Sequence, residues 1–136
     1  MAHPLRTVVR ERAHACCEYC RMPDGLYDTP FAVDHIIARK HGGADELDNL
    51  ARAYFHCNLR KGPNIAGRES TTRQLVTMFH PRQDRWNEHF VWDGPHLRGL
   101  TNVGRVTIDV LAINDPEIIS VRASLIEEHR FPPLFH

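Results

Sequence analysis

This chain has no excess charge of either sign, no long apolar run and no internal repeat. Its 17 Lys and Arg balance 17 Asp and Glu, so no global basic field announces a polyanionic partner, and a local patch must do that work. The longest uninterrupted apolar stretches, such as Val110–Ile113, fall far below the roughly 20 residues that a membrane helix needs. Residues 1–12 lack the apolar core of a secretion signal, which predicts a cytoplasmic setting and no membrane partner. Low-complexity tracts are missing too, and 25% charged with 42% hydrophobic residues indicates neither disorder nor a coiled coil. Cysteine is scarce. Inside a cell, the four present are thiols or metal ligands more readily than disulfides. A length of 136 residues suffices to bury a core without staples, and a single domain over 1–136 is expected.

Helical spacing of Leu5, Val8, Val9 and Arg12 predicts a helix from Leu5 to about His14, followed by Cys16-Cys17-Glu18-Tyr19-Cys20 and a loop. The β-branched, apolar run Phe31–Ile37 reads as a strand and Leu47–Tyr54 as its return, with a turn at Gly42-Gly43. Phe55–Lys61 fits a short helix closed by Gly62 and Pro63. Further on, His89–Trp92 and Leu97–Leu100 flank Asp93-Gly94-Pro95 as a hairpin. Thr101 caps a helix to about Ile113, and Asp115-Pro116 opens a second with Ile118, Val121 and Leu125 on one face.

Two constellations carry chemistry. Cys17-x-x-Cys20 has the spacing of a zinc knuckle, in which a tight turn brings two sulfurs to one tetrahedral ion. Cys57, beyond the predicted hairpin, can supply a third. A fourth ligand is missing: a paired motif needs Cys at position 54, where Tyr54 stands, and His56 and Cys16 adjoin other ligands and point elsewhere. Structural zinc is favoured, with buried free thiols as the alternative. A thioredoxin-like redox pair does not fit, because no strand of a βαβ unit precedes it. The second constellation joins Asp34-His35 in a strand, Asn49 fourteen residues on, and Asn58 opening Asn58-Leu-Arg-Lys-Gly62 on the short helix. Between Asn49 and Arg68 lie Arg52, Arg60, Lys61 and Arg68 with no acidic residue, which marks this window as the anion-facing surface.

In these pieces the chain resembles the HNH endonucleases, the zinc-flanked branch of the ββα-metal nuclease fold. Cys17-Glu-Tyr-Cys20, Val33-Asp-His-Ile-Ile37, Gly42-Gly43, Asp48-Asn-Leu50 and Cys57-Asn-Leu-Arg-Lys-Gly62 occur in family order. Pro63–Gly67, Phe79–Arg82 and Arg85–Phe90 also look like a bacterial HNH subgroup. The resemblance implies an α+β fold: a ββα-metal core over 17–62 with an N-terminal helix, an additional β-hairpin and C-terminal helices. Residues 63–136 would form an extension packed on that core.

The resemblance also implies metal-dependent hydrolysis of DNA phosphodiester bonds. His35 matches the general base, for which an imidazole with an ordinary pKa of about 6.5 is suited. Asp34 matches a ligand of the catalytic cation, and Asn58 would add a carbonyl oxygen, a hard donor set that favours Mg²⁺ or Mn²⁺. Asn49 matches the middle position of the catalytic set, holding the loop or orienting the histidine. Cys17, Cys20 and Cys57 would hold the structural zinc, in a site that departs from the family at Tyr54. Arg60 and Lys61 are placed to bind flanking phosphates, against a reading as a solvated helix face. His41, before the two glycines, reads as a loop residue that could reach phosphate or metal.

One active site per chain predicts nicking of one strand, and zero net charge points to a homodimer or a partner protein for further DNA contacts. Trp86, Phe90 and Trp92, with Arg82 and Arg85 nearby, read as core packing ahead of a base-stacking surface. Two rival functions stay open on sequence: a zinc-stapled module that binds nucleic acid without cutting it, and a structural or regulatory subunit in which Asp34 and His35 are simply packed.

Overall fold

Strand β1 (Phe31–His35) buries Phe31 and Asp34 and pairs antiparallel with β2 (Leu50–Tyr54), His35 facing Leu50 in register. The computed structural model describes residues 3–25 and 31–134 of the chain. All five residues of β2 are buried, so this strand runs through the interior and is covered on both faces. Helix α2 (Phe55–Lys61) follows β2 directly, so hairpin and helix form one ββα unit. Helix α1 (Arg6–Arg12) precedes the unit and buries Val9. The α+β class holds, with helices and small antiparallel sheets alternating along the chain.

The loop from β1 to β2 depends on its two glycines. Gly42 has φ 89°, the left-handed region that suits a residue without Cβ. At Gly43 an added Cβ would lie 1.7 Å from the Ile37 carbonyl oxygen and 2.9 Å from Asn49 Nδ2. Asn49 closes this loop. Its side-chain oxygen accepts from Ile37 N (2.9 Å), and its amide nitrogen donates to the Ile37 and Ala44 carbonyls (3.0 and 2.8 Å).

Beyond α2 the chain makes two more two-stranded sheets and three helices. Strands β3 (Ala66–Arg68) and β4 (Leu75–Thr77) pair, then α3 (Trp86–His89) leads into the hairpin of β5 (Phe90–Asp93) and β6 (His96–Gly99). Helix α4 (Asn102–Val110) is capped as expected, with Thr101 Oγ1 accepting from Gly104 N at 3.1 Å. Helix α5 (Pro116–Glu127) starts at Asp115, but that carboxylate makes no cap; it faces Arg60 at 3.5 Å instead. One apolar cluster runs from Tyr19, Phe31 and Ala53 in the ββα region to Phe79, Trp86 and Leu111 beyond it. Among the described residues no helix is long and apolar enough to cross a membrane.

Trp86 packs on Phe90 and Trp92 with ring centroids 5.1 and 5.9 Å away, and its Nε1 donates to Tyr19 O at 2.8 Å. These aromatics are therefore core, and Arg82 turns to Glu18 instead of outward. Replacing Gly43 by alanine should force the loop off its Asn49 staple. Overpacking of this kind costs about 1–3 kcal/mol, to be read from the urea midpoint of Gly43→Ala against the parent.

Candidate active site and cysteine cluster

Strand β1 ends where α2 ends, and the two meet at a cleft of about 390 Å³ lined by Asp34, His35, Ala38, Arg39, Asn58 and Pro63, among others. Asp34 and His35 come from the end of β1, and Asn58 from the first turns of α2. His35 keeps 19% of its side chain exposed, enough for a substrate to reach the ring. Its Nε2 lies 3.0 Å from Asp45 Oδ1. A carboxylate only accepts, so Nε2 carries a proton, and a ring with a single proton then has its lone pair at Nδ1.

Asp45 receives a second donor on the same oxygen, His3 Nε2 at 2.5 Å. His3 in turn accepts from Leu5 N at Nδ1 (3.0 Å), which assigns its proton to Nε2 as well. His3, His35 and Asp45 bring their ligand atoms within 4.8 Å of one another, a set that could hold a metal ion and that is joined here by hydrogen bonds at Asp45 Oδ1. Hydrogen bonds from His3 and then His35 hold the Asp45 carboxyl down to about 2.

Asp34 is 5% exposed and accepts from Tyr19 Oη at 2.7 Å. Burial pushes its carboxyl up, against the pull of the Lys61 ammonium 3.3 Å away and of the Tyr19 hydroxyl. Asp34 and Asn58 both line the cleft, and carboxylate and amide oxygens are the hard donors that a small divalent cation takes.

Lys61 departs from its sequence reading as a phosphate contact. It is 3% exposed, and its ammonium donates to the His35 and Ile36 carbonyls (3.1 and 3.0 Å) beside Asp34. The last turn of α2 directs this residue inward, at the end of β1. Arg52 likewise leaves the anion-facing window: it is 5% exposed, bonds Asp24 at 2.7 Å and lies 4.6 Å over the Phe31 ring. Arg60 stays at the surface, paired loosely with Asp115. The exposed basic side chains are instead Arg39, Lys40 and His41, on a tight turn just after β1, and of these Arg39 lines the cleft.

Sequence reading therefore missed Asp45, Arg39 and Tyr19. The basic triplet 39–41 beside the Asp-His pair was a usable signal for Arg39. Nothing in local pattern marks Asp45, a loop residue ten positions past the histidine it holds.

The cysteines converge as expected. Sulfurs of Cys17, Cys20 and Cys57 lie within 4.8 Å of one another, all buried. Tetrahedral zinc, with Zn–S of about 2.3 Å, separates its sulfurs by roughly 3.8 Å, so the donor set fits. Backbone N–H groups of Tyr19 and Cys20 both donate to Cys17 Sγ at 3.4 Å, which favours a thiolate there. Neither suggested substitute for the fourth ligand joins: His56 Nε2 faces Ala112 O at 2.9 Å, and Cys16 Sγ donates to His14 O at 3.3 Å. Burial raises the Cys16 thiol to about 11, as for an inert core cysteine.

Compared with known families, residues 17–64 match the model for HNH endonuclease. This segment is an HNH domain. No curated protein and no solved structure matches the chain. The match starts at the first of the three clustered cysteines and ends just past α2, so the HNH domain contains the hairpin, the loop staple and every cleft residue named above. The matched domain is of a nuclease type, and its cysteine cluster is a set that could bind zinc.

Two outcomes follow. Lys61→Met leaves a buried carboxylate without its ammonium, and losing one partner of such a pair costs about 3–5 kcal/mol at neutral pH, measurable by denaturant unfolding. Asp34 then carries a carboxyl raised above its unfolded value, a group that supports the fold at low pH and opposes it as pH rises through the folded pKa. The deficit should thus shrink in acid. For Asp45 the sign is opposite: its pairing stabilises above the unfolded carboxyl pKa and is lost as pH falls toward about 2. A carbon-detected NMR titration should place the Asp45 midpoint there, and His3→Ala should move it up.

Proposed function

We propose that the chain is a metal-dependent endonuclease that hydrolyses phosphodiester bonds of DNA in the cleft between β1 and α2. The observation that carries this reading is that Asp34, His35 and Asn58 line one open cleft while Asp45 occupies the outer nitrogen of His35. In this role the Nδ1 lone pair of His35 takes the proton from the attacking water. Asp45 holds the ring in the required tautomer, as a positioning residue. Asn49 keeps the loop closed so that β1 ends in register with β2. Asp34 and Asn58 would hold Mg²⁺ or Mn²⁺, which when bound supplies stabilisation of the charge building on the phosphate.

Arg39, Lys40 and Arg60 are exposed around this region and suit the flanking phosphates, taking the place first given to Lys61. Cys17, Cys20 and Cys57 would hold zinc as a structural staple beneath the site. We read residues 65–136 as an extension packed on the HNH domain through the shared apolar cluster. One cleft per chain makes a single-strand nick the expected product, with a second copy or a partner needed for a double-strand break.

The test is nicking of supercoiled plasmid. His35→Ala should lower the Mg²⁺-dependent rate by about 10²–10⁴-fold with the circular dichroism spectrum unchanged, and a chelator should stop the parent. Activity retained in His35→Ala rules out the base assignment; no cleavage by the parent with any divalent cation rules out the nuclease.

A further inference from the structure

His3 lies outside the matched segment, ahead of α1, and His35 ends β1, yet both rings aim Nε2 at the same oxygen of Asp45, from 2.5 and 3.0 Å. The rings meet edge to face, with centroids 6.1 Å apart and planes at 64°. Their side chains are only 14% and 19% exposed, whereas Asp45 is 48% exposed, so the trio is covered on the imidazole side and open to solvent at the carboxylate. Arg39 also reaches this oxygen, with Nη2 at 3.5 Å, and its largely exposed side chain is free to swing away.

Two imidazole nitrogens and one carboxylate oxygen are a donor set that zinc takes at open sites, with the fourth position left to water. Zn–N of about 2.0–2.1 Å and Zn–O of about 2.0–2.2 Å put tetrahedral ligand atoms roughly 3.4 Å apart. The three ligand atoms already lie within 4.8 Å of one another. Opening each hydrogen bond by less than about 1 Å therefore admits the ion. Imidazole favours zinc, cobalt or nickel over Mg²⁺, so this set selects differently from the oxygens of Asp34 and Asn58. Loading also moves protons. Nε2 must present a lone pair, so each neutral ring shifts its single proton to Nδ1. For His3 this gives up one hydrogen bond from Leu5 N, a modest loss. For His35 it removes the lone pair with which the ring would accept a proton from water.

We propose that His3, His35 and Asp45 form a zinc site of their own, and that zinc bound there disables the base; the site stands on its geometry, and its inhibitory role rests on the nuclease reading above. The test counts Zn²⁺ bound to the full chain by titration calorimetry. The parent should bind one equivalent more than His3→Ala or His3→Gln, both of which leave Asp34, Asn58 and the cysteines in place. Equal counts overturn the site, whatever the cysteines bind. Long-range proton–nitrogen NMR of the rings should show the His35 proton pass from Nε2 to Nδ1 on loading. A ring that keeps its Nε2 proton with the extra equivalent bound overturns the blockade, whether or not the chain cuts DNA. In the plasmid assay that equivalent should slow Mg²⁺-dependent nicking by the parent about 10²–10⁴-fold, as for loss of a general base, and should spare His3→Ala. Equal slowing of both overturns the blockade at this site. A parent that never cuts removes the nuclease reading alone, and the zinc count and the ring spectrum then decide.

Discussion

The placement of the cleft residues depends on an ammonium group sealed between a strand end and a helix end. Lys61 reaches from the last turn of α2 to the carbonyls of His35 and Ile36 and to the carboxylate of Asp34. A dry ion pair of this sort contributes little net stability relative to apolar packing, but it is unforgiving about geometry, because each partner is costly to leave alone. Here it fixes the one relation that the site needs, the position of the β1 terminus against α2. With that relation set, Asp34, His35 and Asn58 face one volume.

Around this link the loop is tied by side chains to backbone. Asn49 satisfies both polar groups of Ile37, and Asp45 gathers His3 and His35 on one oxygen. The first tie acts on the chain and the second on a ring. Together they set both where the imidazole stands and which nitrogen it offers. Gly43 lets the chain pass close enough to Ile37 for the amide of Asn49 to reach.

Much of this architecture was legible in the chain, and what was not has physical causes. The bounds of α2 follow from Gly62-Pro63, which end it, and the hairpin at 90–99 from Asp93-Gly94-Pro95 between apolar runs. The β3–β4 pair escaped notice because three-residue strands are too short to set up an alternation, and because its connection is organised by buried Glu69, whose carboxylate accepts from Thr71 and Thr72 N–H groups. The cysteine trio and the Asp-His pair could be read from spacing. Lys61 could not: a lysine after arginine at a helix end looks solvated, and only the tertiary position of α2 turns it inward. Asp45 is opaque for a similar reason, since its partners come from the N-terminal segment and from β1.

Tyr19 sits inside the turn between Cys17 and Cys20, yet its hydroxyl donates to Asp34 and its carbonyl accepts from Trp86. A single residue thus touches the sulfur knuckle, the cleft carboxylate and the aromatic core. A displacement of the 17–20 turn therefore carries with it the hydroxyl that Asp34 accepts from and the carbonyl on which the indole of Trp86 rests.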